Sequence, residues 1–197
     1  TALENASGKT IRTGDISVDG SITNFGTISS TGAVAAYGQL TNSGTFTVAQ
    51  NLIANSLENA TGKTLSAKAI SVIAGELNNG GTLTAAGDLS VTGAFNNAGT
   101  ANITGNVSAL SLSNVTGKMI TIRGTSVNIT DGIRNLGTFS AAAADVEFGG
   151  DLENSGVFTA KSITAIGDIV NLKTITLTGD LSAASFKNNA SASNLTV

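Results

Sequence analysis

The chain has 197 residues, a formal charge of −3 and only 12% charged side chains, so it carries no basic footprint for nucleic acid or an anionic membrane. It has no cysteine, which excludes disulfides and thiolate metal sites, and histidine, tryptophan and proline are also absent. Hydrophobic residues make up 41% and recur at regular intervals, which argues for a packed core rather than disorder. No apolar run approaches the ~18 residues of a membrane-spanning helix, so no membrane insertion is expected. The chain opens at Thr1 with neither a signal peptide nor an initiator methionine, and a processed protein or an excised fragment is expected.

Taken in chain order, the first recognisable element is LENASGKT, Leu3–Thr10. It returns as LENATGKT at Leu57–Thr64 and, more worn, as LSNVTGKM at Leu112–Met119. Between these marks lie shorter relatives: ITNFGT from Ile22, LTNSGT from Leu40, LNNGGT from Leu77, FNNAGT from Phe95, IRNLGT from Ile133, LENSGV from Leu152 and IVNLKT from Ile169. Aligned on the asparagine they form a column: Asn5, Asn24, Asn42, Asn59, Asn79, Asn97, Asn114, Asn135, Asn154, Asn171 and Asn188. Successive spacings are 19, 18 and 17, then 20, 18 and 17, then 21, 19 and 17, with a final 17. A coil of about 18 residues therefore sits inside a three-coil super-repeat, and the extra length of each opening coil falls in its GKT segment. The whole chain, 1–197, reads as one domain with super-repeats of approximately 3–56, 57–111 and 112–168 and a partial 169–197.

Within each coil the apolar residues alternate with Ser, Thr or Asp over short runs bounded by Gly and Asn, which signals strands. Leucine, isoleucine or phenylalanine stands two before each asparagine, from Leu3 to Phe186. A second apolar position follows the asparagine at Ile28, Phe46, Leu83, Phe139, Phe158 and Ile175, shifted in the longer coils to Ile11, Leu65 and Ile120. An alternating pair such as Val34/Ala36 or Ile70/Val72 completes the coil. The alanine run Ala141–Ala144 is the best helical candidate, but its place in the repeat makes it the bend of a long coil. Three short strands per coil, repeated about ten times, predict an all-β fold: a single-stranded parallel β-solenoid, a rod on the order of 50 Å long. The asparagine and glycine columns are expected at corners, as the residues that best tolerate left-handed backbone, with asparagine amides hydrogen-bonded from coil to coil. Proline would remove a ladder donor, which accounts for its absence.

Units such as LTNSGTFTVAQNLIAN (Leu40–Asn55) and LNNGGTLTAAGDLSVTG (Leu77–Gly93) resemble the β-helix repeats of filamentous-haemagglutinin-type exoproteins, large secreted adhesins of Gram-negative bacteria. The resemblance implies a right-handed parallel β-helix, an extracellular or cell-surface location and an adhesive role, with a host or matrix surface as partner.

Three motifs invite chemistry. The GKT triplets suggest a phosphate loop, but the first glycine such a loop needs is replaced by Leu3 and Leu57, which are core positions. Lys9, Lys63, Lys118 and Lys173 recur every third coil on one side of the rod, with Glu4 and Glu58 as expected partners. A Thr-x-Thr column runs through Thr27, Thr45, Thr47, Thr82, Thr84, Thr138, Thr174 and Thr176. Its plain reading is β-propensity on an exposed face, and its functional alternative is ice binding. Breaks at Asn102 and Val157, together with the longer coils, are expected to spoil its regularity. The aspartates mostly flank glycine at strand ends, a turn role, and are not gathered in a cleft, so neither an enzyme nor a cofactor is expected.

No distinct polar cap is recognised at either end of the repeat. Open ends then favour head-to-tail stacking of identical copies into a filament, with Leu3, Ile11, Phe186, Leu195 and Val197 as candidate stacking residues. The alternatives are a rod segment of a large surface adhesin and an ice-binding solenoid.

Overall fold

Alternating apolar and hydroxyl-bearing residues favour extended chain, and alternate side chains then face opposite sides of a strand. The outcome is seen in a computed structural model, which describes residues 2–189 and 194–197. Among the described residues there are 28 strands and no helix. Each coil contributes one strand to each of three parallel ladders, except the last, whose strands among the described residues belong to the first and second. The first ladder starts with Leu3–Asn5 on Ile22–Asn24 and ends with Asp168–Asn171 on Ser185–Asn188. The second climbs from Thr10–Thr13 on Thr27–Ser30 to Thr174–Thr176 on Asn194–Thr196. The third climbs from Ile16–Val18 on Val34–Ala36 to Ile163–Thr164 on Leu181–Ser182. This is the parallel β-solenoid that the repeat predicts, with eleven asparagine rungs marking eleven coils.

Three corners join the ladders. The lysine corner lies between the first and second, the middle corner between the second and third, and the return corner leads from the third into the next coil. Parallel in-register pairing stacks like upon like, so each inward position becomes a column. Ile28 sits on Phe46 and Phe46 on Leu65, all fully buried. Phe139 and Phe158 stack with ring centroids 4.4 Å apart and planes 13° from parallel. Large and small inward residues share a coil: Phe95 and Ala101 are both fully buried, in the same coil as the buried Ile103, Val107 and Ala109.

The coil-length irregularities reside at corners. In three coils the lysine corner is a four-residue turn, closed by Lys9 N–H to the Ala6 carbonyl at 3.1 Å, Lys63 to Ala60 at 3.0 Å and Lys118 to Val115 at 3.0 Å. The third residue of each turn, Gly8, Gly62 or Gly117, has φ of 72°, 74° or 73°, the left-handed conformation of a type II turn. The alanine run forms no helix. Thr138–Phe148 is one continuous strand whose register shifts between Ala141 and Asp145, with Ala142 and Ala143 turned outward and Ala144 buried.

One sequence expectation is corrected. No non-glycine residue among the described ones has positive φ, so the asparagines are not corner residues in left-handed conformation. They end the strands of the first ladder with ordinary extended backbone, and their side chains point inward. Most of the glycine column is required by space instead. A Cβ on Gly44 would collide with the Gly26 carbonyl, one on Gly99 with Gly81, and one on Gly156 with Gly137. Lys173 takes this position without the longer turn, and Asn171 Nδ2 then reaches its carbonyl only at 3.5 Å.

Candidate interaction surfaces

The buried asparagine column is the most ordered feature of the chain. Each Nδ2 donates to Oδ1 of the next rung: Asn5 to Asn24 at 2.8 Å, Asn24 to Asn42 at 2.9 Å, and onward to Asn171 to Asn188 at 2.8 Å. The same amide also reaches the carbonyl at the lysine corner of its own coil and a second-ladder carbonyl of the next. For Asn79 these are Gly81 at 3.2 Å and Thr100 at 3.0 Å. Two carbonyls facing one end of the amide fix that end as NH₂, since only a donor satisfies them. All rungs therefore point the same way along the axis. The expected coil-to-coil amide ladder is present, from Asn5 through Asn188.

At the ends of the described stack, Leu3, Ile11, Phe186 and Leu195 pack against the core but stay half-covered, whereas their counterparts in inner coils are buried. Val197 is 69% exposed and stands apart from the core.

The threonine column keeps its register through the long coils, while Met119 and the expected Val157 interrupt its first row and Asn102 its second. In the second ladder Thr27 pairs with Thr45, Thr45 with Thr64, Thr64 with Thr82 and Thr82 with Thr100. Further on, Met119 pairs with Thr138, Thr138 with Val157 and Val157 with Thr174. Thr47 and Thr84 belong to the parallel row two residues on, and Thr159 pairs with Thr176 in that same row. The long coils do not interrupt this register, because their extra residues are taken up at the lysine corner before the strand begins. Thr64 and Ser66, which the sequence reading left out, fill the gap between Thr47 and Thr82.

The lysine column forms, but its expected ion pairs do not. Lys9 and Lys63 are exposed and make no ion pair among the described residues. The long turn carries each lysine to the start of the second ladder, while Glu4 and Glu58 project outward from the first. Two successive lysine turns wall an open trough of about 360 Å³, floored by Gly26, Gly44 and Thr45 with Phe25 at its side. The ion pairs that do form bridge neighbouring coils: Arg134 to Glu153 at 3.2 Å and Lys161 to Asp145 at 3.0 Å.

Aspartates perform a turn role that extends to the coil above. Asp15, Asp88 and Asp151 each accept a backbone N–H from the next coil, that of Ala33, Asn106 or Asp168, at 2.7–2.8 Å. They thereby serve donors at corners, where strand pairing lapses. The Ser162 hydroxyl and the Lys161 ammonium both donate to Asp145 and hold its carboxyl below the ordinary aspartate value. At the return corner, Asp131 and Asp151 line a shallow open hollow of about 380 Å³ beside Arg134 and Glu153.

These features define a class, a parallel β-solenoid with an internal amide ladder. Comparison of the chain with protein-family models, curated proteins and solved structures found no match.

Proposed function

We propose that the chain is a structural and adhesive β-solenoid of an extracellular or cell-surface fibre, extended by head-to-tail stacking of its end coils. One observation carries this reading. The half-covered Leu3 and Ile11 at one end, and Phe186 and Leu195 at the other, stand in the same columns that inner coils bury completely. Placing the first coil of one copy on the last coil of another extends the first and second ladders, their apolar columns and the amide ladder together. Such a contact is heterologous and does not close, so it generates a filament. The resemblance of the repeats to filamentous-haemagglutinin-type exoproteins supports the secreted and adhesive part of the reading.

Negative-stain electron microscopy across a concentration range tests it. Filaments that lengthen with concentration in the parent chain and vanish in Phe186→Asp, with β content retained, are the expected result. Filaments that persist in that variant overturn stacking through the end coil. Discrete rods at every concentration favour the second reading, a rod segment of a larger adhesin, which the same half-covered edges fit. The unbroken register of the threonine ladder supports ice binding as a side-face function, and absence of thermal hysteresis in the purified protein removes it.

A further inference from the structure

Charge on this rod is segregated by corner, and the segregation has the period of the super-repeat. The lysine corner and the outward face of the second ladder carry Lys9, Arg12, Lys63, Lys118 and Lys173 and, among the described residues, no acid. The return corner carries Asp19, Glu76 and Asp131, one at the end of the opening coil of each super-repeat, together with Asp151 one coil above Asp131, and, among the described residues, no base. Lys9, Lys63 and Lys118 stand at the other side of those same three coils. Each lysine follows a first-ladder strand (Leu3–Asn5, Leu57–Asn59 or Ser111–Asn114), and each acid precedes the next strand up (Ile22–Asn24, Leu77–Asn79 or Ile133–Asn135). Both series therefore recur in the same three coils, and both step by three strand spacings, ~14 Å.

We propose that two copies of this chain associate side by side, in parallel, through the lysine corner of one and the return corner of the other. A sideways translation along the first ladder, with an axial shift of at most one strand spacing, brings Lys9, Lys63 and Lys118 opposite Asp19, Glu76 and Asp131 of the second copy at once. Phe25 on the lysine corner and Tyr37 on the return corner, 46% and 50% exposed, belong to one coil and stand on the two corners that this contact joins. The trough beside Phe25 gives the incoming corner a place to sit. The contact is heterologous, so repetition yields a flat ribbon of rods rather than a closed dimer. It uses side faces alone and stands independently of end stacking.

The experiment compares the parent with two triple variants, Lys9→Glu/Lys63→Glu/Lys118→Glu and Asp19→Lys/Glu76→Lys/Asp131→Lys. Circular dichroism checks that each is folded. Sedimentation and the width of negatively stained particles report association near 0.01 M salt, where screening reaches ~30 Å, and near 1 M, where it reaches ~3 Å. Width, not length, is the readout, so end-to-end growth does not count. The parent is expected to pair laterally at low salt, about tenfold or more weaker at high salt. Each variant alone should stay one rod wide, because its two corners then carry the same charge. An equimolar mixture should recover the parent's width, since each altered corner meets its complement. Single-width parent rods at low salt overturn the proposal, as do variants that pair as well as the parent, or a mixture that fails to recover.

Discussion

Asn59 donates its side-chain amide to Asn79 at 2.8 Å across 20 residues of chain, and Asn79 repeats the contact to Asn97 across 18 at the same distance. The rung geometry is constant although the coil lengths are not. Removing one rung should therefore be costly wherever it is tried. Asn97→Ala strips partners from Asn79 Nδ2, Asn114 Oδ1 and the Gly99 and Met119 carbonyls, in a column closed to water. A loss of about 3 kcal/mol in urea unfolding is expected, from buried groups left unpaired.

Asn97→Asp distinguishes the amide from mere polarity. A carboxylate there faces the Gly99 and Met119 carbonyls with acceptors only, so burial and these oxygens raise its pKa above the unfolded value. Its protonated form supplies the missing donor. Stability of this variant relative to the parent should be greatest below the unfolded aspartate pKa and fall as pH rises through the raised folded one. Unfolding midpoints measured from acid to neutral pH check the slope, and a flat difference would show that the donor is not what the site requires.

Two glycine positions should respond differently to alanine. Gly62 has open space around a built Cβ, so Gly62→Ala carries only the cost of φ 74°, about 1–2 kcal/mol. Gly99 has ordinary φ but no room, because its Cβ would run into the Gly81 carbonyl of the coil below. Gly99→Ala should force the coils apart and cost more than Gly62→Ala, with hydrogen exchange accelerated in the two coils that meet there.

Core volume should be tradable within a layer. Phe95→Leu leaves space and Ala101→Leu overfills it, each costing about 1–3 kcal/mol. The double variant should be closer to the parent than the sum of the two, since Phe95 and Ala101 share one buried layer. Strict additivity in thermal unfolding would mean that the layers do not compensate.

The Asp145 carboxyl should titrate below an ordinary aspartate, first because the Ser162 hydroxyl donates to it and then because Lys161 does. A depressed folded pKa contributes stability above the unfolded pKa, and that contribution is lost as pH falls through the folded value. Ser162→Ala should move the carboxyl titration upward, followed by NMR. An unchanged midpoint would assign the shift to Lys161.

The sequence made most of this architecture legible because stacking turns a period into a column. Every position two before an asparagine proved to face inward, and the asparagine spacings located the long turns. Other features were hidden for physical reasons. Inner positions filled by Ala67, Ala85 or Ala160 are buried, yet alanine among serines and glycines gives no hydropathic contrast. Ser30 is buried with its hydroxyl within reach of the Gly32 carbonyl of its own coil and the Gly14 carbonyl of the coil below, a contact between coils that no local pattern announces. The role of the glycine column lay in a neighbour's carbonyl, not in its own dihedral angles. That Lys63 and Glu76 stand on opposite sides of one coil became visible only once both were placed on its corners.

The four-residue lysine turns have a consequence for how much this chain can be altered. Rungs stay 2.8–2.9 Å apart while the chain between them varies from 17 to 21 residues, and the lysine turns take up two of these (Asn5 to Thr10 is 5 residues, Asn24 to Thr27 is 3), so added length at these corners leaves the interior untouched. A foreign peptide spliced between Thr61 and Gly62 would emerge into open space, and the same graft at the Gly8 and Gly117 turns would repeat it along one edge. The rod is then a molecular ruler, able to hold guest epitopes at fixed intervals of ~14 Å.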